Sequence, residues 1–308
     1  MNLNSQKMEH SNVLDAAKHL LLEMRFKETL RTSAQQLLHL HLIAPRTVRY
    51  VANIPKWLLT QSIVLLHFER CLDDRRPPLT VANLLSLLRE RQVKAVSKNT
   101  AVAHLSEMRT YGLLEDSQSA SDRRKRPLVL SDRGTELIRT WFEAHLTSLD
   151  LLDGGSRLAL LKNQPSLLYR AHPAAIRMLV GHPAWNDPPC SVATFVWTES
   201  GSNILHDLLL RVPDDHPSTD RIQVGRVRAT DITGRYIISR SHAQRLIARA
   251  RDLNLLGWEK PHNSGSMWIS RQLVQDYRAW QAVKFAAIRI AWDDISGAEG
   301  KVDRSLHG

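Results

Sequence analysis

A serine-capped helix, two short strands around a cationic loop and a second amphipathic helix follow one another between Val96 and about Leu149. The same order of residue types returns 139 to 142 positions later. With helical apolar spacing over most of the remaining chain, these observations predict a mainly α fold with small β-wings. The architecture expected is two tandem winged helix-turn-helix domains related by internal duplication.

Taken in order, residues 12–43 read as one long helix with Leu14, Leu20, Leu21, Met24, Leu30, Leu37, Leu38 and Leu42 as its apolar contacts. Pro45 and Pro55 interrupt the chain, because proline removes an N–H and clashes with the preceding turn. Trp57 to Cys71 reads as a strongly apolar helix ending in the polar turn Asp73 to Pro78. Thr80 caps the next helix, which runs to about Arg91, and Val93 to Val96 reads as a short edge strand. Ser97 caps the following helix, on which Ala101, Leu105 and Met108 form one apolar stripe. Its opposite side carries Lys98, Asn99, Thr100, Ala103 and Glu107. Gly112 ends it, and Leu113-Leu114 starts an extended segment. A polar loop leads to Arg123-Arg124-Lys125-Arg126, and Leu128-x-Leu130 alternates as a strand. Asp132 to about Leu149 is again helical, burying Leu137, Ile138, Trp141, Phe142 and Leu146.

The second half can be laid over the first. Pro45, Val48, Arg49, Val51, Pro55 and Trp57 match Pro173, Ile176, Arg177, Leu179, Pro183 and Trp185 at an offset of 128. Leu65-Leu66-His67 matches Ile204-Leu205-His206 at 139. Ser97, Lys98, Ala101, Leu105, Arg109, Leu113 and Leu114 match Ser239, Arg240, Ala243, Ile247, Arg251, Leu255 and Leu256 at 142. Leu128, Leu130, Ser131 and Trp141 match Met267, Ile269, Ser270 and Trp280 at 139. Generic amphipathicity does not place prolines and tryptophans, so the blocks indicate a duplication. The division expected is 1–150 for N-terminal helices plus the first winged helix, with its capped helix at about 97–111 and its wing at about 115–131. The second repeat covers 151–295, with its capped helix at about 239–253 and its wing at about 257–270, and a disordered tail follows over 296–308.

Asp122-Arg123-Arg124-x-Arg126-x-Leu128-x-Leu130-Ser131-x-x-Gly134 resembles the wing signature of the MarR (multiple antibiotic resistance regulator) family. Leu105-x-x-Met108-x-x-x-Gly112-Leu113-Leu114-Glu115 is similar to that family's recognition helix and first wing strand. The resemblance covers about forty residues. It implies a bacterial DNA-binding regulator. Because terminal helices in that family knit two subunits together, it also implies a fused pseudo-dimer with two non-identical reading heads.

Bulk composition agrees with that expectation. The 308-residue chain carries a formal net charge of +11, which favours a polyanionic partner. Eight arginines between Arg221 and Arg251 face the single acid Asp231, and nine cations between Arg89 and Arg126 face five acids. Together the two windows account for the whole excess. Two cysteines, Cys71 and Cys190, imply no disulfide framework and suit a reducing cytosol. The start MNLNSQKMEHSN lacks the apolar core of a signal peptide, and no uncharged apolar run approaches the length of a spanning helix. A cytoplasmic, nucleoid-associated protein is expected.

The residues expected to touch DNA are Lys98, Asn99, Thr100 and His104 on the first capped helix, with Arg123, Arg124, Lys125 and Arg126 at the first wing tip. On the second helix they are Arg240, Ser241, His242, Gln244, Arg245 and Arg249. The second wing, Glu259 to Gly265, lacks the Asp-Arg-Arg element. No Walker loop, dinucleotide fingerprint, HExxH or nucleophile elbow occurs, so no catalytic residue is assigned. No Cys/His cluster has metal-ligand spacing, and no cofactor is expected. Cys71 reads as a buried, inert thiol, and Trp57, Trp141, Trp185 and Trp280 read as core anchors. The partners expected are double-stranded DNA, with a second copy of the chain and a small-molecule effector left open, and no membrane. The competing readings are a replication-initiator or plasmid-maintenance protein with the same binding physics, and an adaptor whose winged helices bind proteins.

Overall fold

The computed structural model describes residues 3–48, 52–93, 96–117, 127–214, 219–233, 235–236, 238–261 and 263–306. It is mainly helical with two small antiparallel sheets. The first half holds α1 (Leu3–Leu22), α2 (Phe26–Ile43), α3 (Pro45–Val48), α4 (Ile54–Leu72), α5 (Val81–Glu90), α6 (Lys98–Thr110), β1 (Leu114–Asp116), β2 (Leu128–Leu130) and α7 (Asp132–Asp153). The second holds α8 (Arg157–Asn163), α9 (Leu167–Val180), α10 (Pro183–Asn186), α11 (Cys190–Val196), α12 (Gly201–Leu210) and β3 (Arg221–Arg226). It continues with α13 (Ala229–Thr233), α14 (Arg240–Asp252), β4 (Leu256–Lys260), β5 (Ser264–Ser270) and α15 (Arg271–Leu306). No helix among the described residues is long and apolar enough to cross a membrane.

The chain forms two compact units, and neither is a contiguous half. Unit 1 comprises residues 1–23, 58–186 and 282–308, and unit 2 comprises 24–57 and 187–281. The compact bodies therefore do not follow the expected cut near residue 150. The reason lies in amphipathic helices that pack across the two halves of the sequence. α2 lays Phe26, Leu30 and Ala34 onto second-half elements and packs on α12. α9, from the second half, buries Leu168, Ala171, Ile176 and Leu179 in unit 1, where it packs against α1 and α7.

This exchange explains why residues 12–43 are two helices rather than one. Val13, Ala17 and Leu20 form the buried face of α1, while Phe26, Leu30 and Ala34 form that of α2. In one continuous helix those faces would be roughly a quarter-turn or more out of phase, so neither could be fully buried. The break at residues 23–25 lets each face find its own core. Leu14, Met24 and Leu42, expected as contacts, are instead 38%, 97% and 69% exposed.

Unit 1 centres on α4 and α7. Phe68, Trp141 and Phe142 surround the His172 ring, whose Nε2–H donates to Gln61 Oε1 at 2.8 Å. Burial pushes the His172 pKa down to about 3, so the ring is neutral in neutral solution. Arg91, 2% exposed, donates through Nη1 to the Arg177 carbonyl at 3.2 Å and faces Glu9 at 3.8 Å. Arg177 in turn pairs with Glu69. In unit 2, Asn203 bonds His41 of α2 at 3.1 Å, and Tyr277 bonds His206 at 2.8 Å. Trp57, Trp141, Trp185 and Trp280 are all buried, between 2% and 4% exposed, as core anchors.

The small sheets are built alike. In unit 1, β1 pairs with β2 with Leu114 opposite Leu130, and in unit 2, β4 pairs with β5 with Leu256 opposite Ile269. The N–H of Ser131 reaches the Leu113 carbonyl at 3.1 Å, and that of Ser270 reaches Leu255 at 2.8 Å. Ser131 Oγ then caps α7 through the Gly134 N–H, as Ser270 Oγ accepts from the Leu273 N–H at the start of α15. Gly112 and Asn254 both adopt positive φ, at 68° and 53°, after α6 and α14. Glycine and asparagine tolerate that left-handed geometry best.

Other expectations change. Val93 and Val96 lie in no strand; the outer pairing in unit 1 is a single bridge from Leu79, whose carbonyl accepts from Leu128 N–H at 2.9 Å. Buried Leu79 directly precedes the Thr80 cap, so the chain is already extended there. Its counterpart in unit 2 is β3, a full strand along β5 with a bulge between Gln223 and Gly225, where Gly225 has φ +82°. Pro45 opens α3, whereas Pro173 sits inside α9, so that matched pair does not share a local role. α15 runs to Leu306, past residue 296 where a disordered tail is expected. Cys71 is exposed rather than buried; partial burial and Asp74 nonetheless raise its thiol pKa, which disfavours the reactive thiolate.

Candidate nucleic-acid interface

α6 and α14 are set into their units by the same residue pattern. Ser97 Oγ accepts the Thr100 N–H at 3.1 Å, and Ser239 Oγ accepts the His242 N–H at 3.2 Å. Each cap satisfies one of the free donors at a helix start. Ala101, His104, Leu105 and Met108 face the core on α6, as Ala243, Leu246, Ile247 and Ala250 do on α14. The outward face of each helix is thereby fixed.

His104 corrects an expectation. It is 3% exposed, and its Nε2 bonds Thr60 Oγ1 of α4 at 2.9 Å, so it cannot reach a groove. The signal was present in the spacing: 101, 104, 105 and 108 is the i, i+3, i+4, i+7 pattern of a buried stripe. Lys98, Asn99 and Thr100 are exposed on the first turn. Arg109 is half exposed and paired with Asp116 at 2.8 Å. Arg123, Arg124, Lys125 and Arg126 lie outside the described residues.

On α14, Arg240, Ser241, Gln244, Arg245 and Arg249 are exposed and His242 is half-buried. All eight arginines of the 221–251 window are exposed. Arg251 donates to Asn263 Oδ1 at 3.0 Å, and Arg235 faces Asp207 at 3.6 Å. Arg221 stacks 4.2 Å over the Trp268 ring, itself lying against Gly257, where a side chain would collide with the indole. Arg221, Arg226 and Arg228, on or just after β3, were missed as candidates. The Ile222 and Val224 alternation flanking them was the available sign of a strand. Val102, which the sequence reading did not place on the outward face, is exposed on α6 beside Ala103, which it did.

Arg240, Arg245 and Arg249, exposed along α14, raise the local potential and favour a polyanion, with the helix backbone holding them in place. Among the described residues no cluster of His, Cys, Asp and Glu could hold a metal ion. A cavity of about 70 Å³ in unit 2 is bordered by Leu30, Ala34, Leu210, Val274 and Tyr277, and an open cleft of about 740 Å³ in unit 1 by Leu85, Leu88, Arg89, Val93, Val96 and Lys98. Neither a protein-family model, nor a curated protein, nor a solved structure matches this chain.

Proposed function

We propose that the chain is a sequence-specific double-stranded DNA-binding transcription regulator of MarR-like type, made of two duplicated winged helix-turn-helix modules. α6 and α14 enter the major groove, and the Arg123 to Arg126 loop meets the minor groove or phosphates. The carrying observation is the α14 face: Arg240, Gln244, Arg245 and Arg249 point outward while Ala243, Leu246, Ile247 and Ala250 fill the core. The shared caps, positive-φ termini and cross-strand pairs support the duplication.

The physics follows from charge and shape. Arginines neutralising phosphates release counterions, so affinity falls linearly on a log–log salt plot by about 0.9 per phosphate contacted. Side chains on the exposed helix faces then read base edges. Selection from a random duplex pool should return an enriched motif. Titration across salt concentrations should give a steep slope, made shallower by Arg245→Ala and by joint replacement of Arg123, Arg124, Lys125 and Arg126 with Ala. No enriched motif together with a flat salt plot rejects the reading.

A further inference from the structure

The outward faces of α6 and α14 differ in chemistry at matched positions. At the 142-residue offset, Asn99 lies over Ser241, Val102 over Gln244, Ala103 over Arg245 and Glu107 over Arg249. The inward positions correspond as well: Ala101, Leu105 and Met108 are buried, as are Ala243, Ile247 and Ala250. The pairs therefore occupy equivalent places around the two helices. Val102 is 43% exposed, and Ala103 beside it is exposed. Neither offers a hydrogen-bond donor or acceptor from its side chain. Gln244 and Arg245, in the same places on α14, offer the two-pronged groups that match purine edges.

Resting on the DNA-binding reading above, we infer that the two helices read chemically different half-sites. α6 recognises a thymine-containing half through the C5-methyl groups, and α14 a guanine-containing half through the N7 and O6 acceptors. In the major groove the thymine methyl is the apolar feature that Val102 and Ala103 can cover, while Asn99 is suited to an adjacent adenine. Arg245 pairs with guanine, and Gln244 with adenine. The charge distribution agrees. α6 carries only Lys98, Glu107 and Arg109, with Arg109 held by Asp116, whereas α14 carries Arg240, Arg245, Arg249 and Arg251 against Asp252. Affinity and salt dependence thus come largely from the α14 half, and discrimination by shape and methyl contact from the α6 half.

The test uses the full chain and the duplex recovered by selection, with single-atom changes in the bases. Replacing thymine by deoxyuridine removes only the methyl group, and replacing guanine by 7-deazaguanine removes only the N7 acceptor. Deoxyuridine in one half-site should weaken wild-type binding about fourfold per contacted methyl, and Val102→Ser should abolish that sensitivity without changing the salt slope. 7-Deazaguanine in the other half should weaken binding roughly tenfold, and Arg245→Ala should abolish that sensitivity while making the salt slope shallower. Val102 and Arg245 are exposed, so thermal unfolding of both variants should match wild type. An enriched motif whose halves respond alike, or indifference to deoxyuridine, overturns the half-site assignment and leaves the DNA reading standing. Failure to enrich any motif removes both.

Discussion

Single buried titratable side chains set how this protein responds to pH. His172 is fully enclosed, and burial pushes it to about 3, while burial holds His67 and His182 at about 4. In the unfolded chain each titrates near the ordinary imidazole value of 6.5, so between those limits the unfolded state binds protons that the folded state refuses. Stability therefore falls as pH drops from about 6.5 toward 4, by roughly 1.4 kcal/mol per group per pH unit. Denaturant unfolding at a series of pH values should show that slope, and His172→Gln should reduce it by one proton. Lys284 on α15 acts at the other end: burial lowers its pKa from 10.5 to about 7. The unfolded chain keeps that proton up to 10.5, so stability rises from pH 7 toward 10.5. Lys284→Met should raise stability at pH 7 and flatten that rise; an unchanged profile would show that the amine is solvated.

At the scale of elements, what holds a helix and what that helix presents are separate, and substitution can divide them. Ser97→Ala and Ser239→Ala remove the caps and should each cost about 1 kcal/mol. Leu105→Ala opens a cavity beneath α6 and should cost about 2–5 kcal/mol. Arg245→Ala touches no core and should leave thermal stability within about 0.5 kcal/mol of wild type. Chemical denaturation and DNA titration run on the same variants give the comparison. If Arg245→Ala unfolds the protein as severely as Leu105→Ala, the outward face assigned to α14 is wrong.

For the whole molecule, the consequence of the discontinuous units is that neither half of the chain is self-sufficient. Unit 1 needs α9 and the residues of α15 beyond 281 from the second half, and unit 2 needs α2 from the first. A fragment of residues 1–150 lacks Leu168, Ala171, Ile176 and Leu179, and the α2 face has no α12 to cover it. Fragments 1–150 and 151–308 should each lack a cooperative thermal transition, and coexpression should restore one. Cooperative folding of 1–150 alone would contradict the division.

Much of the local structure was legible in the chain, because it depends on neighbours in sequence. Ser97, Thr80 and Ser239 mark their helix starts, and Gly112 marks a helix end. Leu114 and Leu130 lie where alternation puts strands, and Lys98, Gln244 and Arg245 are exposed where helical spacing leaves them. His104 was legible too, through its place in the buried stripe. Tertiary structure decided what no local pattern encodes: that residues 12–43 divide so that α1 and α2 serve different cores, that α9 joins unit 1, and that Leu79 pairs with Leu128 of β2. The physical reason is that apolar periodicity says a face must be buried without saying against which partner. That choice is made by the best-fitting complementary surface, however far along the chain it lies.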